Sequence, residues 1–204
     1  MNRSRDNNDE QLILAFQQGD EGAFDLLYER HHRSVFNTAY RLLGNRDTAE
    51  DIAQEVFVKL YSSPGNYRPV ARFTTWLYRI TCNACIDEGR KRRRRPSQIA
   101  DYALISVSDG GSSPEATAEA NEMIRTVQSA IASLPEKQRI AVILQRYEGL
   151  SYQEIADVLQ TSVSAVESLL FRARESLKVK LAHCSRRHAP SRTAEAGLPV
   201  PGTL

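Results

Sequence analysis

Aromatic and cationic side chains are interleaved in residues 67–95, and together they could bind a nucleic acid strand. Tyr67, Phe73 and Trp76 come first, and an unbroken cationic run follows at 90–95. Flat rings stack on unpaired bases, and guanidinium and ammonium groups neutralise phosphates. The segment is therefore a candidate surface for single-stranded nucleic acid. Trp76 most simply belongs to a core, whereas Tyr67, Phe73 and Tyr78 could equally be exposed stacking surfaces, and for any single ring the core is favoured. The basic run could be a solvated helix end.

A second candidate surface lies on a helix that begins near Val163. Apolar residues recur there at three- and four-residue spacing and leave the opposite face free. Hydrogen-bonding, aromatic and cationic groups occupy that free face, which comprises Ser164, Glu167, Ser168, Phe171 and Arg172. Such a face suits a helix in the major groove of DNA. Glu167 could accept a hydrogen bond from cytosine N4, or it could be the carboxylate of a capping box that Ser164 begins.

The elements that must position this face form a helix-turn-helix pattern. A first helix follows Pro135 and is expected to end at Gly149, and Ser151 with Glu154 then forms a capping box for the second helix. After a turn at residues 160–162, Ser162 or Ser164 is expected to cap the third helix. A small helical bundle with a solvated charged face is the alternative interpretation.

The N-terminal half is also predicted to be helical. Helices are expected over about 10–18, 21–43, 47–61 and from 73 onward, with Asp20 capping the second. Gly44 should end the second helix, and Asp47 with Glu50 should cap the third. The predicted fold class is all-α, with two small helical domains joined by a flexible linker.

Composition divides the chain of 204 residues into four parts. The predictions are a helical domain at 1–96, a flexible acidic linker at 97–122, the helix-turn-helix domain at 123–182 and a disordered tail at 183–204. The linker is rich in Ser, Gly, Ala and acidic residues and has little apolar periodicity. Net charge is only +2, so local charge matters more than the total.

Several function classes have little support. We find no apolar run long enough to span a membrane and no signal-peptide pattern, so a cytoplasmic location without membrane insertion is expected. Cys82 and Cys85 are formally a C-x-x-C pair, but no second tight pair exists, so we expect no metal. We also expect no cofactor and no enzyme activity, since no nucleophile and base, P-loop or dinucleotide-binding pattern is found.

Three segments in order across one linker resemble a known family. DTAEDIAQEVFVKLY, FTTWLYRITCNACIDEGRKRR and LPEKQRIAVILQRYEGLSYQEIADVLQTSVSAVESLLFRARESL are similar to the extracytoplasmic-function (group 4) sigma factors of the sigma-70 family. The resemblance covers about residues 9–181. It implies two promoter-binding domains, called region 2 and region 4, in a subunit that directs RNA polymerase to promoters and that often serves a stress response.

The resemblance also implies roles for individual residues. Contact with the beta-prime clamp helices of core RNA polymerase falls on Asp51, Gln54, Glu55 and Phe57. Capture of the minus-10 single strand falls on Tyr67, Phe73, Trp76, Asn83, Arg90, Lys91, Arg92 and Arg93, with Asn83 near the pocket for a flipped base. Recognition of the minus-35 duplex falls on Ser164, Glu167, Ser168, Phe171 and Arg172. Family members often carry Lys or Arg where Glu167 stands, so the promoter preference could differ here.

The implied partners are core RNA polymerase, through its clamp helices and beta flap, promoter DNA and an anti-sigma factor. Two other functions remain open at this point. A helix-turn-helix repressor or activator would bind duplex DNA without polymerase, usually as a symmetric dimer. A protein-interaction adaptor would show no salt-dependent DNA binding.

Overall fold

The computed structural model describes the backbone of residues 3–94 and 114–187, and the side chains of residues 9–94 and 122–182. Within these ranges the chain forms eight α-helices and one 3₁₀ turn at Pro64–Asn66, and no strand. The predicted all-α class is therefore confirmed. None of the described helices combines the length and the apolar composition that a bilayer crossing requires.

Four helices form the N-terminal half. They are α1 (Arg3–Gln17), α2 (Glu21–Leu43), α3 (Arg46–Ser62) and α4 (Phe73–Arg94). The predicted signals around α2 are confirmed: the Asp20 side chain accepts a hydrogen bond from the backbone N–H of Ala23, and Gly44 ends the helix with φ of +70°. α1 begins earlier than predicted, at Arg3.

The predicted cap of α3 was wrong. Asn45, not Asp47, caps the helix, because its side chain accepts a 2.9 Å hydrogen bond from the backbone N–H of Thr48. Glu50 instead pairs with Arg46 at 3.1 Å on the helix surface. Both Asn and Asp are good caps, and local sequence alone did not separate two candidates so close together.

Four more helices form the C-terminal half. They are α5 (Pro114–Ala132), α6 (Glu136–Arg146), α7 (Tyr152–Leu159) and α8 (Val163–Arg187). α5 begins inside the segment predicted as linker, and α8 continues into the segment predicted as a disordered tail. The rest of both predicted segments, 97–113 and 188–204, lies outside the described residues.

The two halves pack against each other. α4 contacts α7, and α2 contacts α6 and α5. Buried side chains from both halves, such as Leu77 of α4 and Ile155 of α7, belong to one hydrophobic cluster. The candidate site residues therefore lie on two helical halves that contact each other.

Candidate nucleic-acid interface

The helix-turn-helix begins with the predicted capping box at α7. Ser151 Oγ accepts a hydrogen bond from the backbone N–H of Glu154, and the Glu154 carboxylate accepts one of 2.8 Å from the backbone N–H of Ser151. α7 ends at Gln160, whose φ of +50° is the left-handed conformation that reverses the chain. These local signals fix the turn that leads into α8.

Ser162 caps α8, since its Oγ accepts a 3.2 Å hydrogen bond from the backbone N–H of Ala165. Ser164 Oγ lies 3.0 Å from Ser162 Oγ and does not start a capping box. The alternative in which Glu167 completes such a box was therefore wrong. Glu167 is exposed on the helix surface.

The two faces of α8 are divided as predicted. Val166, Leu170 and Ala173 are buried, whereas all five predicted duplex-contacting residues are exposed. Phe171 is 64% exposed. An exposed ring next to Arg172 provides an apolar surface for a thymine methyl beside a cation for phosphate or guanine.

A contact that local sequence patterns missed joins α7 to α8. Arg174 donates a 3.2 Å hydrogen bond to the hydroxyl oxygen of Tyr152. This hydrogen bond lowers the pKa of Tyr152 below its ordinary value. The two residues lie 22 positions apart in sequence. Their contact therefore depends on how α7 and α8 pack against each other, which no local sequence pattern states.

The three aromatic residues predicted for strand stacking pack on one another instead of facing solvent. Ring centroids lie 5.6 Å apart for Tyr67 and Trp76, and 5.9 Å apart for Phe73 with either partner. Tyr67, Phe73 and Trp76 are only 2%, 0% and 7% exposed. The structure therefore agrees with the core interpretation of these rings, and it leaves Asn83 as the exposed polar residue in the middle of α4.

Helix α1 holds this aromatic cluster in place. Gln17 donates hydrogen bonds to the backbone oxygens of Pro64 and Tyr67, at 2.8 and 3.0 Å. A Glu10 carboxylate oxygen accepts a 2.9 Å hydrogen bond from the backbone N–H of Phe73, at the start of α4. Sequence analysis did not identify these bracing residues, because their partners lie 47 to 63 positions away.

A buried carboxylate anchors α1 to α2. Asp9 accepts hydrogen bonds from Arg30 at 2.7 Å and from His31 at 2.8 Å. Burial raises the pKa of Asp9, but the hydrogen bonds from His31 and Arg30 outweigh it and leave the pKa below the ordinary value. These hydrogen bonds hold α1 against α2, and Gln17 and Glu10 of α1 in turn contact the loop before α4 and the start of α4.

The basic end of α4 is partly neutralised by neighbouring carboxylates. Arg90 lies 3.6 Å from Asp87, and Lys91 and Arg92 lie 3.8 and 3.3 Å from Glu88. Arg92 also donates to the Thr48 hydroxyl, and Arg93 pairs with Glu136 of α6 at 2.8 Å. Arg90, Lys91 and Arg93 remain well exposed and accessible to phosphate.

The predicted polymerase-facing surface of α3 is exposed except at one residue. Asp51, Gln54 and Glu55 face solvent, and Glu55 pairs with Lys59 at 2.5 Å. Phe57 is only 4% exposed, and its ring meets the half-exposed ring of Tyr28 edge-on at 4.8 Å. In this arrangement Phe57 supports the surface from below.

The cysteine pair lies in the packed face of α4. Cys82 and Cys85 are free, buried thiols. Burial raises the pKa of Cys85 to about 12 and raises the pKa of Cys82 as well. In the described residues no cluster of His, Cys, Asp and Glu is arranged to hold a metal ion.

Comparison with known families assigns each half to a described region. The family model described as Sigma-70 region 2 matches residues 27–95, and the model described as Sigma-70, region 4 matches residues 124–177. The RNA polymerase sigma-H factor of Pseudomonas aeruginosa is 38% identical over 180 residues, which cover 83% of this chain and 91% of that protein. The extracytoplasmic-function sigma-E factor of Escherichia coli K12 is 35% identical over 186 residues, 88% of this chain and 97% of that protein.

Two solved structures have a similar fold. CnrH, in complex with the cytosolic domain of CnrY, matches 86% of this chain and 98% of its own with a TM-score of 0.65 and 24% identity. RpoE of Bartonella quintana, in complex with the anti-sigma factor NepR, matches 78% of this chain and 96% of its own with a TM-score of 0.65 and 22% identity.

Proposed function

The chain belongs to the extracytoplasmic-function sigma factors of the sigma-70 family, and we propose on this basis which of its surfaces contact promoter DNA, core polymerase and an inhibitor. As a sigma factor it directs transcription initiation by RNA polymerase. The observation that carries this function is the succession of both sigma regions in one chain. A duplex-only repressor needs no region 2, so that alternative is not favoured.

The exposed face of α8 is proposed to contact the minus-35 duplex. Support comes from the division of the helix into a buried stripe and a free face with Ser164, Glu167, Ser168, Phe171 and Arg172. Arg172 would bind phosphate or guanine, and Glu167 would accept a hydrogen bond from cytosine. Glu167 is exposed and does not cap the helix, which supports its proposed role as a hydrogen-bond acceptor for cytosine.

The α4 helix and the loop before it are proposed to capture the minus-10 single strand. Asn83 is the proposed contact for a flipped base, with Arg90, Lys91, Arg92 and Arg93 neutralising phosphates. Flipping costs a few kcal/mol of unstacking, which stacking and phosphate contacts offset. Because Tyr67, Phe73 and Trp76 are buried against one another, they are proposed to support this surface from the core rather than to stack on bases.

The acidic surface of α3 is proposed to bind the clamp helices of core polymerase. Asp51, Gln54 and Glu55 are exposed on one face of a well-buried helix, and this supports a polar docking surface. Phe57 and the edge of Tyr28 would form its apolar margin. The beta flap is the proposed second contact of core polymerase, on the C-terminal half.

An anti-sigma factor is the proposed inhibitor, and the cytoplasm the proposed location. The similar RpoE structure supports the inhibitor, since that protein was solved in complex with the anti-sigma factor NepR. Location in the cytoplasm follows from where core polymerase is found.

Run-off transcription tests the proposal directly. Purified core RNA polymerase is mixed with the full chain on a DNA fragment from upstream of the chain's own coding sequence, since sigma factors of this group often regulate themselves. We expect specific product with the protein and none without it. Arg172→Ala and Asn83→Ala should each reduce the product, because both residues are exposed contacts.

A matched pair of variants tests the proposed core-binding surface of α3. Asp51→Arg should weaken co-purification with core, whereas Glu50→Arg, on a neighbouring exposed position of the same helix, should not. Duplex binding without core, together with no initiation under any condition, would replace the sigma assignment with the repressor function.

A further inference from the structure

Two side chains of α1 hold the loop between α3 and α4 at its two ends. The Nε2 atom of Gln17, which carries two N–H donors, donates to the backbone oxygens of Pro64 and Tyr67 at 2.8 and 3.0 Å. At the other end, Glu10 Oε1 accepts a 2.9 Å hydrogen bond from the backbone N–H of Phe73. Helix α1 is therefore bonded to the loop on both sides of the loop's exposed part.

The spacing of residues along α1 places these two side chains. Asp9, Ile13 and Phe16 are buried and form the face of α1 that packs on the rest of the N-terminal half. Glu10 and Gln17 are half-buried and lie on a common side of the helix next to that face, with about 10 Å of helix between them. A helix anchored through its inner face thus presents two polar groups to the loop at a fixed separation.

The loop arches into solvent between its two attachment points. The chain from Tyr67 to Phe73 could extend to about 20 Å, which is longer than the part of α1 between the two side chains that hold it. The excess length forms an arch at residues 68–72, all of which are exposed, and Val70 at its tip is 90% exposed. Within the arch, the Tyr67 hydroxyl donates a 2.9 Å hydrogen bond to the backbone oxygen of Ala71.

Glu10 also completes the start of α4. Phe73 is the first residue of that helix, so its backbone N–H has no acceptor within the helix. Glu10 supplies the acceptor from a distant part of the chain, and a carboxylate at this end also favours the helix dipole. Burial raises the pKa of Tyr67 to about 12, and the negative charge of Glu10 contributes to that rise. Loss of Glu10 should therefore disturb the start of α4 and the arch together.

An exposed arch binds a strand well only when its shape is fixed before the strand arrives. Consecutive exposed residues would otherwise sample many conformations, and ordering them on binding would cost free energy. The bonds from α1 order both ends of the arch when the protein folds. The arch is therefore already shaped when DNA reaches it.

We propose that Glu10 and Gln17 are positioning residues for capture of the minus-10 strand, because they fix the arch and the start of α4 before DNA binds. They act through the backbone of the loop and contact neither DNA nor polymerase in this role. The positioning role rests on the proposed function of α4 and the loop before it. The hold on the arch does not, because it is a property of the isolated chain.

Matched variants separate this role from a general effect on α1. Gln17→Glu keeps the shape of the side chain but replaces the donating NH2 group with an oxygen that repels the two backbone oxygens. Gln18→Glu is the control, since the Gln18 side chain is exposed and has no hydrogen bond or ion pair with the residues that the structure describes. Glu10→Leu removes the acceptor for α4, whereas Glu10→Gln keeps an acceptor oxygen and should rescue the effect. Gln17→Met, which lacks both the donors and the charge, takes the place of Gln17→Glu if circular dichroism shows that Gln17→Glu loses helix content.

Acrylamide quenching of tryptophan fluorescence in the free full chain tests the hold on the arch. Trp76 is the one tryptophan of the sequence, is 7% exposed, and has its ring centroid 5.6 Å from that of Tyr67. Gln17→Glu and Glu10→Leu should raise the quenching constant about twofold or more, because local opening of the loop uncovers the indole. Gln18→Glu and Glu10→Gln should match the wild type. Equal quenching in all five proteins would overturn the proposal.

Permanganate reactivity of thymines in the holoenzyme complex tests the positioning role, on the DNA fragment used for run-off transcription. Gln17→Glu and Glu10→Leu should lower promoter opening about five- to tenfold, because only molecules with a correctly shaped arch capture the strand. Co-purification with core polymerase should not change, since α3 is untouched. The two control variants should open the promoter as the wild type does.

The other outcomes are distinct from one another. Greater quenching with normal opening would overturn the positioning role, and so would a parallel loss of co-purification with core, which would indicate a defect of the whole domain. Greater quenching while even the wild type gives no run-off product with core would reject the proposed function and the positioning role with it. Only the hold of α1 on the arch would then stand.

Discussion

The hydroxyl of Tyr78 in α4 donates a 2.6 Å hydrogen bond to the carboxylate of Glu148, 70 residues later in the chain. Burial of Tyr78, with the negative charge of Glu148 beside it, raises the pKa of the phenol far above its ordinary value. The phenol therefore remains protonated and available as a donor at neutral pH. This bond joins the helix proposed for the minus-10 strand to the domain proposed for the minus-35 duplex.

The Tyr78 to Glu148 bond should be measurable as a coupling energy. In a double-mutant cycle of urea unfolding with Tyr78→Phe and Glu148→Gln, we expect a coupling of about 1.5–3 kcal/mol, typical of a hydrogen bond to a charged group. The cycle of Tyr78→Phe with Asp157→Asn provides the reference and should give no coupling. Additive effects of the first pair would show that the bond contributes nothing to stability.

The buried Asp9 should make stability depend on pH in the acid range. Its pKa is lower in the folded chain than the unfolded value near 3.8, so the fold favours the ionised form. That stabilisation is complete above the unfolded value and is lost as pH falls through the folded value. Asp9→Asn should lower the free energy of unfolding by about 1.5–3 kcal/mol at pH 7, and the difference from wild type should shrink below about pH 4. The exposed substitution Asp25→Asn should show neither effect; a constant difference at all pH values would contradict the linkage.

Loss of the α7 cap should weaken the helix-turn-helix. Ser151→Ala removes the acceptor for the backbone N–H of Glu154, at a cost of about 1 kcal/mol in unfolding free energy. Ser129→Ala, at an exposed position in the last turn of α5, is the control and should change stability by less than about 0.5 kcal/mol. Chemical denaturation followed by circular dichroism measures both, and equal values would reject the capping role.

Trp76 and Asn83 should separate stability from function on the same helix. Trp76→Ala creates a cavity among Tyr67 and Phe73, and we expect it to lower the unfolding free energy by about 3–5 kcal/mol. Asn83→Ala alters an exposed residue and should change stability by less than about 0.5 kcal/mol while reducing promoter opening. Permanganate reactivity of unpaired thymines measures opening, and normal opening by Asn83→Ala would remove this residue from the proposed base pocket.

Glu167 and Arg172 should differ in what they contribute to duplex binding. Arg172→Ala should lower affinity and reduce the slope of log K against log salt by about one. Glu167→Gln should change the preferred base at one position of the duplex. A single base contact of this kind discriminates against the wrong base by about 1–3 kcal/mol. Selection from a randomised duplex, with polymerase holoenzyme, measures the second effect. An unchanged preference would mean that Glu167 contacts no base.

Most helix boundaries could be predicted because their signals are local. Asp20, Gly44, Ser151 with Glu154, and Ser162 act within one turn of backbone, so the residues alone state where α2 begins and ends and where α7 and α8 begin. The cap at Asn45 was missed because two acceptors compete within one turn. The exposed and buried sides of α8 followed from spacing, since its stripe and free face are properties of a single helix.

Exposure of the aromatic residues could not be predicted from the same kind of evidence. Whether Tyr67, Phe73 and Trp76 face bases or one another depends on α1, which packs there through Gln17 and Glu10. Those partners are polar residues of ordinary appearance in the sequence. Their role exists only when distant helices meet.

The sequence by itself determined the all-helical class, the two sigma-like halves and the family, because helix caps, apolar spacing and short ordered motifs are written within single elements. Tertiary structure alone decided that the halves close on each other through Glu148, that Phe57 lies behind its surface, and that the predicted stacking rings are buried. These outcomes depend on contacts between residues far apart in the chain, and the free energy of such contacts depends on burial and on partners that no local pattern records.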